Sequence, residues 1–287
     1  MCRKTLISMT IFALVAIASS TGCKEIEARR LVQKADALYL EGNPDKAIPL
    51  YEEALAKKPD LVIAQHNAAL AYYQMFKPGE EGKENQGYAE KATELFELYL
   101  KSEPKDSDIQ KLLTQTWEDS GQVEAALKFW MTKLEADPKN RDILNQLAAV
   151  NINAGRLKEG LDWLWKLADA ETEDAGKLNA YLMIGRTAMG RLAKPSLVDD
   201  ERLALADEGI GALQAALELQ PKNMQIHGLL NAIYQRRALA HGASWARLLD
   251  LAAARSHWTQ YRKLEAELKK NSNKAKPDEG KAEKPEK

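Results

Sequence analysis

The stretch GQVEAALKFWMTKLEADP, residues 121–138, decides the fold, because its pattern returns along the chain. It begins with a glycine, places a small residue five positions later and an aromatic residue after four more, and ends with a proline. The segment GRLKEGLDWLWKLADAET, residues 155–172, keeps the same spacing of glycine, small residue and large apolar residue. Pro104 lies 34 residues before Pro138, and Thr172, which takes the place of a proline, lies 34 residues after it. A fixed period of this length indicates a repeat architecture.

The same pattern extends toward both ends of the chain. Residues 42–59, GNPDKAIPLYEEALAKKP, form an earlier copy, and residues 92–104 and 209–221 keep its second half. Glycine is suited to end a first helix, small residues to a close helix crossing, and proline to end a second helix. The sequence therefore predicts an all-α fold of helix pairs. Apolar or small residues mark the first helix of each pair: Leu31, Ala35, Leu38, Ala68, Ala69, Tyr72, Leu113, Trp117, Leu147, Ala148, Ile184, Gly185, Leu230 and Tyr234.

These motifs resemble those of tetratricopeptide repeats over roughly residues 28 to 270. The resemblance implies a right-handed superhelical solenoid of about six helix pairs, closed by a C-terminal capping helix. One helix pair cannot bury its apolar face alone, so neighbouring pairs stack. We expect the capping helix to begin after Gly242 and Ser244, to close the core with residues such as Trp245 and Leu249, and to turn a polar back to water.

Two segments interrupt the period, and the end of the chain departs from it. The spacing from Ala47 to Ala92 is 45 residues and that from Gly160 to Gly209 is 49 residues, both longer than one repeat. We predict loop-like insertions near residues 77–88 and 191–202, the second broken by Pro195. Residues 271–287 contain no large apolar side chain, which predicts a disordered charged tail.

The N-terminus predicts secretion and lipid anchoring. Arg3 and Lys4 precede an apolar run, which ends in small residues before Cys23 and is too short to span a bilayer. This resembles the signal peptide of bacterial lipoproteins, although Ser20 replaces the usual leucine. The resemblance implies a signal over residues 1–22, a lipidated Cys23 and a short linker over residues 23–27. In lipoproteins of enteric bacteria an aspartate after this cysteine holds the protein at the inner membrane, so with Lys24 in that place the resemblance implies the outer membrane, facing the periplasm.

The composition and the motifs argue against several kinds of function. The net charge is −1 and both signs are spread along the chain, which argues against nucleic acid as a partner. Both cysteines lie within the first 23 residues, so the body holds no thiol nucleophile and no cysteine-based zinc site. No phosphate-binding or metal-binding motif is present. We expect a protein that is not an enzyme and needs no cofactor, metal or small-molecule substrate.

The resemblance predicts that partners bind a concave groove lined by the first helices. His66 and His227 lie on first helices, where a groove-facing or solvated histidine is expected. Asn67 matches an asparagine of the clamp that holds C-terminal carboxylates in some tetratricopeptide proteins, but the lysines of that clamp are absent. We therefore expect an internal segment or a helix as the ligand. The predicted groove residues are His66, Tyr73, Lys111, Gln115, Asn145, Ile152, Arg186 and Gln235.

Two functions remain open from the sequence. The first is a membrane-anchored scaffold or assembly factor of the bacterial cell envelope, which binds an envelope protein or peptide segment. Such a protein resembles the pilotin lipoproteins of type IV pili and the helper lipoproteins of outer-membrane barrel assembly. The alternative is an accessory or regulatory subunit of an envelope polysaccharide or peptidoglycan enzyme.

Overall fold

The computed structural model describes residues 24–194 and 197–274, and these residues form twelve helices and no strand. The predicted all-α class and the number of about six helix pairs are confirmed. The signal over residues 1–22 and the lipidated Cys23 lie outside the described residues. The helices are α1 (24–40), α2 (Pro44–Lys57), α3 (Val62–Met75), α4 (Lys83–Ser102), α5 (Ser107–Asp119), α6 (Val123–Ala136), α7 (Arg141–Asn153), α8 (Leu157–Ala170), α9 (Asp174–Leu192), α10 (Asp199–Leu219), α11 (Met224–Ala240) and α12 (Trp245–Lys274).

The chain divides into two compact units between Thr132 and Lys133. Unit 1 holds α1 to α5 and most of α6, and unit 2 holds the end of α6 through α12. Each unit has its own buried side chains, such as Tyr51 and Phe96 in unit 1 and Leu164 and Leu213 in unit 2. Within the described residues, no helix is both long and apolar enough to cross a membrane. The predicted right-handed superhelix stays a prediction.

The turn inside a helix pair is closed by glycine, as predicted. At Gly155 the backbone φ angle is +79°, a left-handed value that side chains with a Cβ avoid. The Gly155 N–H donates to the carbonyl of Ile152, and the Arg156 N–H donates to that of Asn151. These two bonds satisfy carbonyls that the end of α7 would leave unpaired. Gly42 and Gly121 make the same pair of bonds in their own turns.

The junction between pairs carries a side-chain lock that the sequence analysis missed. The Gln65 Nε2 atom donates to the carbonyl of Pro59 at 2.8 Å, and the Gln110 Nε2 atom donates to that of Pro104 at 2.7 Å. Both glutamine side chains are buried and lie six residues after their prolines. Because each preceding helix ends just before its proline, the proline carbonyl has no helical partner, and the buried glutamine amide donates to it. This hydrogen bond fixes the direction in which the first helix of the following pair leaves the junction.

Small residues lie where helices cross closely, which confirms that prediction. A Cβ at Gly185 of α9 would stand 2.6 Å from the Leu213 side chain of α10. A Cβ at Gly209 of α10 would stand 2.8 Å from the Ala188 Cβ of α9 and 2.9 Å from the Ile233 Cδ1 of α11. Distances this short leave no room for a side chain, so the glycines set the spacing of α9, α10 and α11.

The two insertions differ from the predicted loops. Residues 83–88 form the start of α4, so the predicted loop near 77–88 is wrong for its second half. Asn85 stabilises this start, because its side chain bonds both backbone groups of Lys77 and the carbonyl of Glu80. In the second insertion, residues 191–192 end α9 and residues 199–202 begin α10, while Pro195 lies outside the described residues. Much of the added length therefore extends helices, to 20 residues in α4, 19 in α9 and 21 in α10.

The last helix corrects two further predictions. Trp245 and Leu249 do not close the core, since Trp245 is 82% exposed and Leu249 is 70% exposed, and the outer side of the helix is therefore not wholly polar. It also continues to Lys274, so residues 271–274 are helical, and residues 275–287 lie outside the described residues. The Tyr261 ring lies 3.6 Å from where a Cβ at Gly228 would stand, near the start of α11. Roughly the last ten residues of α12, about 15 Å of helix, therefore extend beyond α11.

Candidate functional site

The structure places four of the predicted groove residues on two first helices of unit 1. Lys111 and Gln115 lie one turn apart on α5, and both side chains are exposed. His66 and Tyr73 lie on α3 and are half-buried. The α5 residues are thus free to meet a ligand, whereas those of α3 also contact the protein itself.

His66 lines a surface pocket of about 590 Å³ in unit 1. Its ring packs 4.9 Å from that of Tyr99 on α4, and Ile63 lies one turn earlier on α3 with 45% of its surface exposed. These three side chains give the pocket an apolar and aromatic surface. The charged lining residues carry both signs and come from α1 and from the junctions before α3 and after α4: Glu25, Arg29, Lys58, Asp60 and Glu103. Such a surface can hold one apolar side chain of a ligand peptide and form hydrogen bonds with the peptide backbone on either side of it.

Asn67 is committed to a polar cluster inside unit 1. Its Nδ2 atom donates to the Asp36 carboxylate at 2.8 Å, and its Oδ1 atom lies 2.8 Å from His66 Nδ1. The Tyr51 hydroxyl donates to the same Asp36 oxygen at 2.7 Å. Burial, together with this contact to Asp36, raises the pKa of Tyr51 above its ordinary range. The cluster joins α1, α2 and α3, so Asn67 holds helices together in this structure. The sequence analysis did not identify Asp36.

Alkaline pH is expected to destabilise unit 1 through its tyrosines. Burial and carboxylate neighbours raise the pKa of Tyr51 and Tyr72, and they raise the pKa of Tyr99 to about 12. The folded state therefore holds these protons more tightly than the unfolded state, whose tyrosines titrate near about 10. The stabilisation is complete below that pH and is lost progressively as the pH rises from there toward the higher pKa values of the folded state. Urea unfolding between pH 8 and pH 11.5 should show a falling midpoint, with a shallower fall in Tyr51→Phe. An unchanged slope in that variant would contradict the assignment to Tyr51.

Tyr73 packs against the core of unit 1, although its side chain is only half-buried. Its ring meets Phe96 of α4 edge to face, with 6.3 Å between ring centroids. Burial, and then the charge of Asp119, raises the pKa of Tyr73. Because Phe96 is fully buried, truncating Tyr73 would disturb the core of unit 1 along with any binding surface.

In unit 2 the four remaining predicted residues differ in exposure. Arg186 of α9 and Gln235 of α11 are exposed, and Asn145 of α7 is half-buried. Ile152 packs inward, since its Cγ1 atom stands 2.5 Å from where a Cβ at Gly160 would be. Ile152 therefore helps to join α7 to α8, and Arg186 and Gln235 are the more accessible candidates for contact.

His227 is neither groove-facing nor solvated, so that expectation is wrong. It is buried between α11 and α12, where its Nε2 atom lies 3.1 Å from the carbonyl of Pro221. Since a carbonyl only accepts, Nε2 carries the proton, and Nδ1 is left to accept from His257 Nδ1 at 3.0 Å. Burial, and then the neighbouring His227, lowers the pKa of His257. His227 thus takes the place of the locking glutamine at its own junction.

Comparisons with known proteins identify solved structures with a similar fold. The sequence matches no family model and no curated protein. Among solved structures the chain is similar to YrrB, described as a TPR protein with an unusual peptide-binding site, at 17% identity over 68% of this chain and 88% of that one, with a TM-score of 0.39. It is similar to MamA at 17% identity over 69% and 94%, with a TM-score of 0.44. A TPR repeats protein from Bacteroides fragilis shows 13% identity over 74% and 98%, with a TM-score of 0.44.

Proposed function

We propose that this chain is an interaction protein of the bacterial cell envelope, which holds a segment of a partner protein against its first helices. The observation that carries the proposal is the pocket of unit 1, where exposed Ile63 stands beside His66 and Tyr99 within a rim of both charges. The adjacent first helix, α5, presents Lys111 and Gln115 to solvent. Aromatic and apolar anchors surrounded by polar groups are typical of surfaces that bind proteins.

The polar groups of this surface favour an internal segment as the ligand. Both Arg29 and Lys58 already have carboxylate partners, since Arg29 pairs with Glu25 at 2.8 Å and Lys58 pairs with Asp60 at 2.9 Å. Asn67 is occupied by Asp36 and His66. No unpaired cluster of cations and amides therefore supports binding of a terminal carboxylate within this pocket. An extended or helical segment that places one apolar side chain at Ile63 and Tyr99 fits the pocket better.

A crosslinking experiment tests the pocket directly. Benzoylphenylalanine at Ile63 is expected to crosslink a distinct partner in intact cells, because this position is exposed inside the pocket. The same residue at Lys128 is the matched control, since Lys128 is exposed on a second helix, α6, of the same unit. The adducts are identified by mass spectrometry. Equal crosslinking from both positions, or none from Ile63, would contradict the assignment of the pocket.

The envelope location is proposed from the sequence around Cys23. Replacing Cys23 by alanine is expected to move most of the protein from the membrane fraction to the soluble fraction, because a diacylglycerol anchor binds bilayers far more firmly than one acyl chain. Fractionation followed by immunoblotting measures this shift, and mass spectrometry of the parent N-terminus reports the acyl group. A variant that remains as membrane-bound as the parent would refute lipid anchoring. Comparing inner and outer membrane fractions tests the proposed outer-membrane location.

A further inference from the structure

Among the described residues, one face of the helix α12 has no neighbouring helix. In the preceding pair, Gly209 and Leu213 of α10 pack against Ala188 and Gly185 of α9. Gln214, one position after Leu213, donates to Tyr234 of α11. One step along a helix turns the direction by about 100°. Hence α10 meets its own first helix with one set of residues, which includes Leu213, and the following first helix with an adjoining set, which includes Gln214. Gly209 lies close to both, since its Cβ would also meet Ile233 of α11.

The equivalent first set of α12 is filled by α11. Asp250 pairs with Arg237, the carbonyl of Ala254 accepts from Asn231, and His257 meets His227. The next set lies one position later, at Leu251, Arg255, Trp258 and Arg262, with Leu248 one turn before it. We call these five residues the α12 seam. Their steps of three and four residues place them on one stripe, the spacing of a helix–helix contact.

The α12 seam exposes large apolar side chains, unlike the corresponding helix before it. Leu248 is 55% exposed and Trp258 is 49% exposed, whereas α10 exposes no large apolar side chain. Trp258 stacks on Tyr261 with 5.3 Å between ring centroids, and Arg262 lies 5.9 Å from its ring. The aromatic side chain is therefore held in place at the surface, as a binding anchor should be.

The exposed charges that α12 itself carries between Trp245 and Lys263 all have one sign. Between Trp245 and Lys263 the exposed charged side chains are Arg247, Arg255, Arg262 and Lys263. The one carboxylate in this stretch, Asp250, is buried against Arg237. Arg262 pairs with Glu265, while Arg247 and Arg255 form no ion pair within the described residues. Two copies of this surface would place arginines against arginines, which opposes self-association.

We propose that the α12 seam binds an acidic amphipathic α-helix of another protein, at the place where a further first helix would continue the stack. The helical form follows from the continued α10–α11 type of contact. The acidic character follows from the positive charges of Arg255 and Arg262, of which Arg255 has no ion-pair partner within the described residues. Leucine-type residues of the partner would meet Leu248, Leu251 and Trp258, and carboxylates beside them would meet Arg255 and Arg262. This interaction is separate from the pocket of unit 1 and does not depend on it.

The test uses the full chain and two synthetic helices of about 18 residues, long enough to cover the seam. Both peptides carry leucine at steps of three and four; one has glutamate at the flanking positions and the other has lysine. Fluorescence anisotropy of the labelled peptides at low salt should show at least tenfold tighter binding of the acidic one, with the difference shrinking as salt is added. The double variant Arg255→Glu, Arg262→Glu should reverse the preference, and Trp258→Ala should weaken binding about tenfold. Arg30→Glu, an exposed change on α1, is the matched control and should alter nothing.

Three results would overturn the proposal. The first is that the chain binds the acidic peptide no more tightly than the lysine peptide. The same conclusion would follow if the double variant Arg255→Glu, Arg262→Glu still preferred the acidic peptide while circular dichroism showed a folded chain. The second is binding to phosphatidylglycerol vesicles through the same arginines without binding of the acidic peptide, which would identify a lipid surface. The third is a concentration-dependent dimer in sedimentation that Trp258→Ala abolishes, which would identify a second copy. Failure at Ile63 in the crosslinking experiment would leave this result unaffected, so the two proposals fail separately.

Discussion

Replacing Arg237 by methionine is expected to destabilise unit 2 by about 3–5 kcal/mol, the usual cost of removing one partner from a buried ion pair. The Arg237 Nε and Nη2 atoms donate to the Asp250 carboxylate, at distances of 3.0 and 2.6 Å from its two oxygens. Asp250 is only 3% exposed, so its charge would remain buried with His241, at 3.4 Å, as its nearest ionisable partner. Because Asp250 lies on α12 and Arg237 on α11, the last helix should detach first. Urea unfolding followed by circular dichroism measures the loss.

Two companion variants distinguish this ion pair from general packing. Asp207 also pairs with Arg237 but is largely exposed, so Asp207→Asn should cost less than about 1 kcal/mol. The double change Arg237→Met, Asp250→Leu removes both buried charges and should recover most of the stability lost by Arg237→Met, because apolar residues can replace a buried pair at little cost. If the double variant is no more stable than Arg237→Met, the unpaired carboxylate is not the cause.

Introducing valine at Gly209 is expected to cost about 3 kcal/mol, because overpacking at a close crossing forces the backbone apart. The new Cβ alone would stand 2.8 Å from the Ala188 Cβ of α9 and 2.9 Å from the Ile233 Cδ1 of α11. Ala188 cannot move aside, since its Cβ is fixed to the α9 backbone. The variant should lower the thermal midpoint of the chain and its helical content at 37 °C.

Gly211 provides the matched control on the same helix. A Cβ at Gly211 would have nothing within 4 Å, so Gly211→Ala should stabilise α10 by about 0.5–1 kcal/mol, the helix-propensity difference between the two residues. The opposite signs at positions two residues apart would show that the spacing of α9, α10 and α11 depends on Gly209. A Gly209→Val protein as stable as the parent would show that the crossing can open without cost.

The helix pairs could be predicted because their signals are local. A glycine turn, a small residue five positions later and a proline after the second helix each act within one pair, so their spacing survives in the sequence. The prediction that the insertions are loops was wrong for the opposite reason, because a contact between distant residues decides the structure there. Residues 83–88 contain glycine and polar residues and suggest a loop, but Asn85 bonds the backbone of residues 77–80 and lets the helix begin at Lys83. A single long-range side chain overrode the local preference.

The candidate site was less predictable because its side chains are engaged by distant partners. Asn67 meets Asp36, 31 residues earlier, and His227 meets His257, 30 residues later. Periodicity assigns a residue to a face of its helix but does not say which neighbouring side chain reaches that face. The same limit applies to α12, where the stripe of Leu248, Trp258 and arginines could not be distinguished from a core stripe by spacing alone. The eight groove residues stay predictions.

The part of α12 that extends beyond α11 has a practical consequence for measuring these interactions on a sensor surface. Glu265 pairs with both Arg262 and Lys269, which supports the helix where packing from α11 ends. An affinity tag placed after Lys287 is therefore preceded by about 15 Å of helix that acts as a spacer. Immobilisation through such a tag would leave the stripe at Trp258, which lies before this spacer, accessible to an injected ligand, while attachment through exposed lysines such as Lys263 would mask it in part of the molecules.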